Sequence, residues 1–142
     1  MWQMRIALVA SLALCLTLVV PASIRADSNC DAVYAQNTIR QGFALRDAER
    51  WQDLHGVANL LLGYTGNCNS NFKVQNPTAV YGFYFLGYSL HELGDDPHAE
   101  EAVATGLRVL EELKQQGGYT SLYDNVRPLF VEVQSKIAGG YR

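Results

Sequence analysis

The three histidines are the first residues in this sequence whose type could support metal binding or catalysis. His91-Glu92 begins like the H-E-x-x-H helix of zinc proteases, but Asp95 stands where that motif needs its second histidine. A looser site made of His91, Asp95 and His98 lacks a third strong ligand of obvious placement. We therefore predict no metal site and no cofactor, and keep a metal-assisted enzyme that uses His91 and His98 as an alternative.

Four carboxylates lie close together at positions 95, 96, 100 and 101, at the start of a predicted helix. Negative charge there complements the positive end of the helix dipole, which is a simpler role than acid–base catalysis. The sequence contains no Gly-rich phosphate loop, no nucleophile elbow and no Cys–His nucleophile pattern. We predict that the chain is not an enzyme and has no catalytic residues.

The first 26 residues have the pattern of a secretory signal peptide. A start with one arginine is followed by an uncharged run from Ile6 to Val20 and by small residues that end at Ala26. The run of about 15 residues is shorter than the ~20 that span a bilayer comfortably. We expect cleavage after Ala26, or after Ala22, although an uncleaved anchor and lipidation at Cys15 remain alternatives.

This prediction implies an exported protein that is periplasmic or secreted. We expect no stable membrane insertion after cleavage. The sequence has no Asn-x-Ser/Thr sequon, which favours a bacterial envelope. Residues 27–142 would form a single domain. Removal of the signal takes the formal net charge from −3 to about −5. A mildly acidic domain without a basic stripe is a poor candidate for binding nucleic acid or anionic membranes.

Cys30 and Cys68 are the two cysteines that remain after signal removal. In an oxidising compartment they most simply form one disulfide, which would stabilise the domain by roughly 3–4 kcal/mol. A redox-active pair is the alternative, but it lacks the C-x-x-C spacing. The predicted disulfide would attach the polar loop around Cys68 to the start of the first helix.

Proline, asparagine and glycine mark the boundaries of the predicted helices. Asn76-Pro77 and Asp96-Pro97 each supply an N-cap and a first-turn proline, while Gly63 and Gly94 end helices. The helices predicted up to the Gly-Gly pair at 117–118 cover about 31–50, 51–62, 77–93 and 96–116.

A last helix follows near the C-terminus. Because Pro128 should not lie deep inside a regular helix, we expect this helix to begin near Asn125, after a short turn from Thr120, and to end at Gly139. No run alternates apolar and polar residues for long enough to demand a strand. The predicted fold class is all-α.

The second helical hairpin carries large and small residues at regular positions, which are Phe83, Leu86, Gly87, Leu90, Gly94, Ala99 and Val103. In order and spacing these residues resemble a tetratricopeptide repeat (TPR). Gly106 replaces the alanine of the family, and Glu111 replaces its terminal proline. The first hairpin matches in spacing at Gly42, Leu45, Leu54, Ala58 and Leu61, although Thr38 and Gln41 occupy positions where large apolar residues are expected.

The resemblance covers about residues 31–113 and implies two TPR-like antiparallel hairpins with a C-terminal capping helix. Small residues at Gly42, Gly87 and Ala99 would let paired helices approach closely. Phe83 and Leu90, with Leu86 between them, are expected to fill the core. A generic pair of helical hairpins, whose glycines are only turn residues, is the alternative.

The family resemblance also places one set of side chains on a concave surface that binds peptides or partner helices. These residues are Gln36, Ile39, Phe43 and Arg46 in the first hairpin, and Tyr81, Tyr84, Tyr88 and His91 in the second. The tyrosines recur at i, i+3 and i+7, and tyrosine offers large contact area with a polar tip. An aromatic stripe with helical spacing also suits a core, so both interpretations stay open.

We expect an exported interaction module that binds a protein or peptide of unknown identity on this concave surface. The alternative is a periplasmic inhibitor or immunity protein that blocks a toxin or hydrolase with the loop around Cys68. Arginines lie on the first helix and carboxylates cluster on the second hairpin. Such a charge separation can orient a partner.

Overall fold

The computed structural model describes residues 31–67 and 72–140, which contain five α-helices and no strand. The helices are α1 (Ala32–Asp47), α2 (Trp51–Asn67), α3 (Phe72–Glu92), α4 (Asp96–Gln116) and α5 (Thr120–Gly139). The predicted all-α class is confirmed. The predicted signal peptide, Cys30 and Cys68 lie outside the described residues. None of the described helices is both long and apolar enough to cross a membrane.

Two helix starts are capped by the aspartates that precede them. The Asp31 carboxylate accepts a hydrogen bond from the Val33 backbone N–H at 2.9 Å, and Asp95 does the same for the His98 N–H at 3.4 Å. The cap of α4 is therefore Asp95 rather than the predicted Asp96. This shift of one residue leaves Pro97 in the first turn, where its missing N–H costs nothing.

Three predicted helix boundaries are wrong. Helix α2 passes through Gly63 to Asn67, α3 begins at Phe72 with Pro77 inside it, and α5 begins at Thr120 with Pro128 inside it. Pro77 is only the sixth residue of α3, so the backbone hydrogen bond that it removes lies near the N-terminal end, where the helix makes the fewest such bonds. Pro128 is exposed, and the carbonyl that it leaves without a partner can be hydrated.

Helix α3 is the central element and packs against all four other helices. The largest fully buried side chains come from every helix except α1; they are Tyr84, Phe85, Phe130, Leu54, Leu61, Leu110, Leu113, His91, Val80, Val103, Val126 and Val133. Helix α1 contributes the nearly buried Ala35 and Leu45. One continuous core therefore joins both hairpins and the last helix.

Close helix packing at small residues is confirmed. A Cβ added to Gly42 would overlap the ring of Phe85, and one added to Gly87 would lie 2.6 Å from Cγ2 of Val103. Ala99 is completely buried. Five packed helices with glycine at their crossings are compatible with a helical repeat fold.

Two departures from the expected pattern have local explanations. Thr38 is 5% exposed, and its hydroxyl donates to the Tyr34 carbonyl at 2.8 Å, so a polar residue is tolerated inside. At Gly106, an added Cβ would lie 2.5 Å from the ring of Phe130 and 2.8 Å from Cβ of Phe83. Glycine at 106 therefore makes room for the aromatic ring that α5 inserts.

The expected core role of Phe83, Leu86 and Leu90 is only partly met. All three are half-buried, and Phe83 and Leu86 pack against the edge of the core. The largest fully buried side chains of α3 are instead Tyr84 and Phe85. The difference is a rotation of the helix, because residues one position apart face about 100° away from each other.

Candidate functional site

An open groove runs between α1 and α3, on the side of the molecule where the sequence predicts partner contacts. Its volume is about 400 Å³. The lining residues are Ala32, Ala35, Gln36, Ile39 and Arg40 from α1, and Pro77, Thr78 and Tyr81 from α3. We call this the α1–α3 groove. The structure thus brings together Gln36, Ile39 and Tyr81, three of the predicted contact residues.

The groove has an apolar floor and a polar rim. Ala35 is buried, Ile39 and Tyr81 are half-buried, and Gln36 and Arg40 are exposed. The Tyr81 hydroxyl is protonated at neutral pH and can donate a hydrogen bond, and burial raises its pKa further above the ordinary value. Such a surface can take up an apolar side chain and hydrogen-bond the backbone beside it.

Arg40, which the predicted contact set did not include, supplies the only charge among the described lining residues. Its Nη1 lies 3.4 Å from Oδ1 of Asn37, a long hydrogen bond, and no ion pair joins it to another residue in ranges 31–67 and 72–140. Its exposed guanidinium offers donors at the rim. Helical spacing was the signal that could have identified Arg40, because it lies four residues after Gln36 and therefore on the same face of α1.

Phe43 lies farther along α1 and is half-buried. Its ring centroid is 6.0 Å from that of Tyr81 and 5.1 Å from that of Phe85, both in edge-on geometry. It also lies 6.0 Å from the ring of Tyr84. Phe43 therefore connects the open groove to the buried aromatic cluster, and supports Tyr81 from the side.

Tyr84 is completely buried, so the expectation that it lies open on a concave surface is corrected. Its hydroxyl accepts a hydrogen bond from Nη1 of Arg46 at 2.9 Å, and its ring lies 5.8 Å from that of Phe130 in edge-on geometry. Burial raises the pKa of Tyr84, although the Arg46 guanidinium opposes the shift. Helix α5 covers this part of α3 with Phe130.

Arg46 is held in place from three directions and is one-quarter exposed. Besides Tyr84, it bonds Oδ1 of Asp47 through Nε at 2.9 Å and Nη2 at 2.7 Å, and it lies 5.0 Å above the Phe43 ring. Burial acts to lower the pKa of Arg46, but the hydrogen bonds to Tyr84 and Asp47 outweigh it and the pKa is raised. Arg46, a predicted partner contact, is therefore already engaged by other residues of the protein.

Tyr88 is 8% exposed and is likewise not an open surface. Its ring stacks on Trp51 of α2 at 5.6 Å, and Nζ of Lys136 in α5 lies 5.2 Å from its centroid. The interaction with the Tyr88 hydroxyl raises the pKa of Lys136, which keeps this lysine charged. The tyrosine stripe is therefore divided: Tyr81 borders the groove, whereas Tyr84 and Tyr88 belong to the interior.

His91 is completely buried, which corrects its assignment to the partner-binding surface. Its Nδ1 lies 2.7 Å from Oδ1 of Asp96, so it joins the end of α3 to the start of α4. His98 instead pairs with Asp95, at 2.8 Å from Nδ1 to Oδ2. Within the described residues, no group of three or more His, Cys, Asp and Glu side chains could hold a metal ion.

Comparison of the chain with known protein families, curated proteins and solved structures finds no match. The geometry of the groove and the chemistry of its lining residues are therefore the basis for assigning a function.

Proposed function

We propose that this chain is an exported interaction module of the TPR-like kind, which binds an extended peptide segment of a partner protein in the α1–α3 groove. One observation carries the proposal. Gln36, Ile39 and Tyr81 are three positions at which the family resemblance places ligand contacts, and they line one open groove.

The composition of the groove favours a peptide over a small charged metabolite. The apolar floor around Ile39 and Tyr81 suits one or two side chains of a ligand, while the Gln36 amide and the Arg40 guanidinium can bond its backbone carbonyls. A volume of about 400 Å³ lies within the range of such pockets.

Helix α5 limits where a ligand can lie. Since Phe130 and Lys136 cover Tyr84 and Tyr88, the accessible surface is the half of α3 that carries Pro77 and Tyr81. The proposed site is therefore shorter than the full set of predicted contacts. It holds Gln36, Ile39, Arg40 and Tyr81, with Phe43 supporting it from the side.

Selection of short peptides from a random displayed library against the exported form of the protein tests the proposal. Titration of an enriched peptide into isotope-labelled protein should shift the NMR signals of Gln36, Ile39 and Tyr81. The signals of Leu60, an exposed apolar residue on α2, serve as the internal control. Shifts confined to residues outside the groove, or failure to enrich any peptide, would contradict the proposal.

A further inference from the structure

A second groove lies between α3 and α4, away from the proposed peptide site. Its volume is about 300 Å³, and it is lined by Phe83, Leu86 and Leu90 of α3 and by His98, Glu101, Ala102 and Thr105 of α4. We call it the α3–α4 groove. No other described helix contributes to its walls.

The α3 wall carries an apolar stripe with the spacing of a helix–helix interface. Phe83, Leu86 and Leu90 recur at i, i+3 and i+7 on this wall. These are large apolar side chains on the central helix of the fold, yet they are only half-buried. They therefore expose apolar surface that burial against a partner would stabilise.

The α4 wall is made of smaller residues. Ala102 and Thr105 leave space beside the large side chains of α3, which forms a channel rather than a flat surface. Ridges of side chains on a further helix pack into such channels. The shape fits an amphipathic helix that brings large apolar residues at alternating spacings of three and four.

The charge at the rim indicates which kind of helix fits. Glu101 is exposed on the α4 wall, and no lysine or arginine is among the described lining residues. The only other titratable residue among them is His98, whose Nδ1 pairs with Asp95. A second copy would place the same acidic rim against this one, because a two-fold interface joins identical patches. Charge complementarity instead favours a partner with lysine or arginine beside its apolar stripe.

We propose that the α3–α4 groove is a second docking site, and that it takes a basic amphipathic helix of a partner protein. The site is independent of the α1–α3 groove, so one molecule of the chain can hold a peptide segment and a helix at the same time. The inference would stand even if the peptide site proved wrong.

A designed peptide provides the test, with protein expressed from the full chain. The probe is a synthetic helix with leucines at the three–four spacing and lysines beside them, and a second probe carries glutamates in place of those lysines. We expect the lysine peptide to bind at least about tenfold more tightly than the glutamate peptide, and the difference to shrink as salt is added.

Variants locate the binding. Leu90→Ser and Leu86→Ser should each weaken binding of the lysine peptide, Leu90→Ser by about tenfold. Leu60→Ser is the matched control, since Leu60 is 55% exposed on α2, and Tyr81→Ala is the control for the other groove. Both controls should leave the affinity unchanged. Leu86→Ser keeps the test decisive if Leu90→Ser lowers stability.

Three results would overturn the proposal. One is equal binding of the lysine and glutamate peptides. Another is binding that survives both leucine variants in folded protein. The third is a dimer in analytical ultracentrifugation that Leu86→Ser dissociates, because that dimer would show a second copy to be the occupant.

Discussion

Arg46 and Tyr84 are joined by a hydrogen bond of 2.9 Å from the guanidinium Nη1 to the phenolic oxygen, across 38 positions of the chain. The bond ties the end of α1 to the middle of α3. Because Tyr84 is completely buried, its hydroxyl needs a hydrogen-bond partner inside the protein, and Arg46 supplies that partner. Arg46 and Tyr84, which the sequence analysis placed among the partner contacts, therefore contact each other within the protein.

Removal of this hydroxyl should destabilise the protein modestly. Tyr84→Phe keeps the ring in the core and leaves Arg46 with Asp47 and solvent, so we expect a loss of about 1 kcal/mol in the free energy of unfolding. Urea denaturation of both proteins measures it. Tyr34→Phe, at an exposed position of α1, is the control and should change stability little. Equal effects of the two substitutions would show that the hydrogen bond contributes nothing specific.

Alkaline pH should weaken the fold through the same residue. Burial raises the pKa of Tyr84 above its ordinary value of 10.0, so the unfolded chain loses this proton at a lower pH than the native protein does. The contribution of Tyr84 to the free energy of unfolding is therefore fully present below pH 10, and it decreases as the pH rises above that value. Tyr84→Phe should show a shallower decrease in denaturation experiments. Because the pKa values of Tyr64 and Tyr81 are raised as well, part of the decrease remains. An identical slope in the variant would contradict this assignment.

Glycine 106 should not tolerate a methyl group. In Gly106→Ala the new Cβ would press on the ring of Phe130, and we expect a loss of about 1–3 kcal/mol in the free energy of unfolding. Gly63→Ala is the matched control inside α2, where an added Cβ meets nothing within 4 Å. That substitution should stabilise the protein by about 0.5–1 kcal/mol, because alanine favours the helix. If both changes were stabilising, the packing of α5 against α4 would differ from the one described.

The link between α1 and α2 contains a residue in an unfavourable conformation. Glu49 has φ of 56°, in the left-handed region that glycine adopts without strain. Glu49→Gly should therefore raise the midpoint of thermal unfolding, with a gain of up to about 1 kcal/mol. Gln52→Gly, three residues later in the helical first turn of α2, should lower the midpoint instead. A decrease in both variants would argue against the left-handed turn.

The sequence alone predicts the existence and order of the helices. The Asp96-Pro97 start signal, which is one residue from the observed cap Asp95, and the glycines at 94 and 117 are local signals whose geometry depends on neighbouring residues only. Boundaries near Pro77 and Pro128 are different. Whether a missing backbone hydrogen bond is tolerated depends on solvent around the free carbonyl, which the tertiary structure decides.

The candidate site could be predicted only in part for a related reason. Helical spacing places Tyr81, Tyr84 and Tyr88 on one side of α3, but it does not reveal which helix covers that side. Phe130 and Lys136, more than forty residues away in sequence, bury two of the three. Gly106 was the available signal, since glycine where the repeat that the sequence resembles carries alanine indicates a large neighbour at that point.

The most direct test of the proposed peptide site is the affinity of a library-selected peptide for Tyr81→Ala, compared with Val131→Ala, by isothermal titration calorimetry. Tyr81 is half-buried in the groove, and Val131 is a 38%-exposed apolar residue of α5. Loss of one aromatic contact should weaken binding by about tenfold or more in Tyr81→Ala, with no change in Val131→Ala. Unchanged affinity in a folded Tyr81→Ala protein would contradict the account.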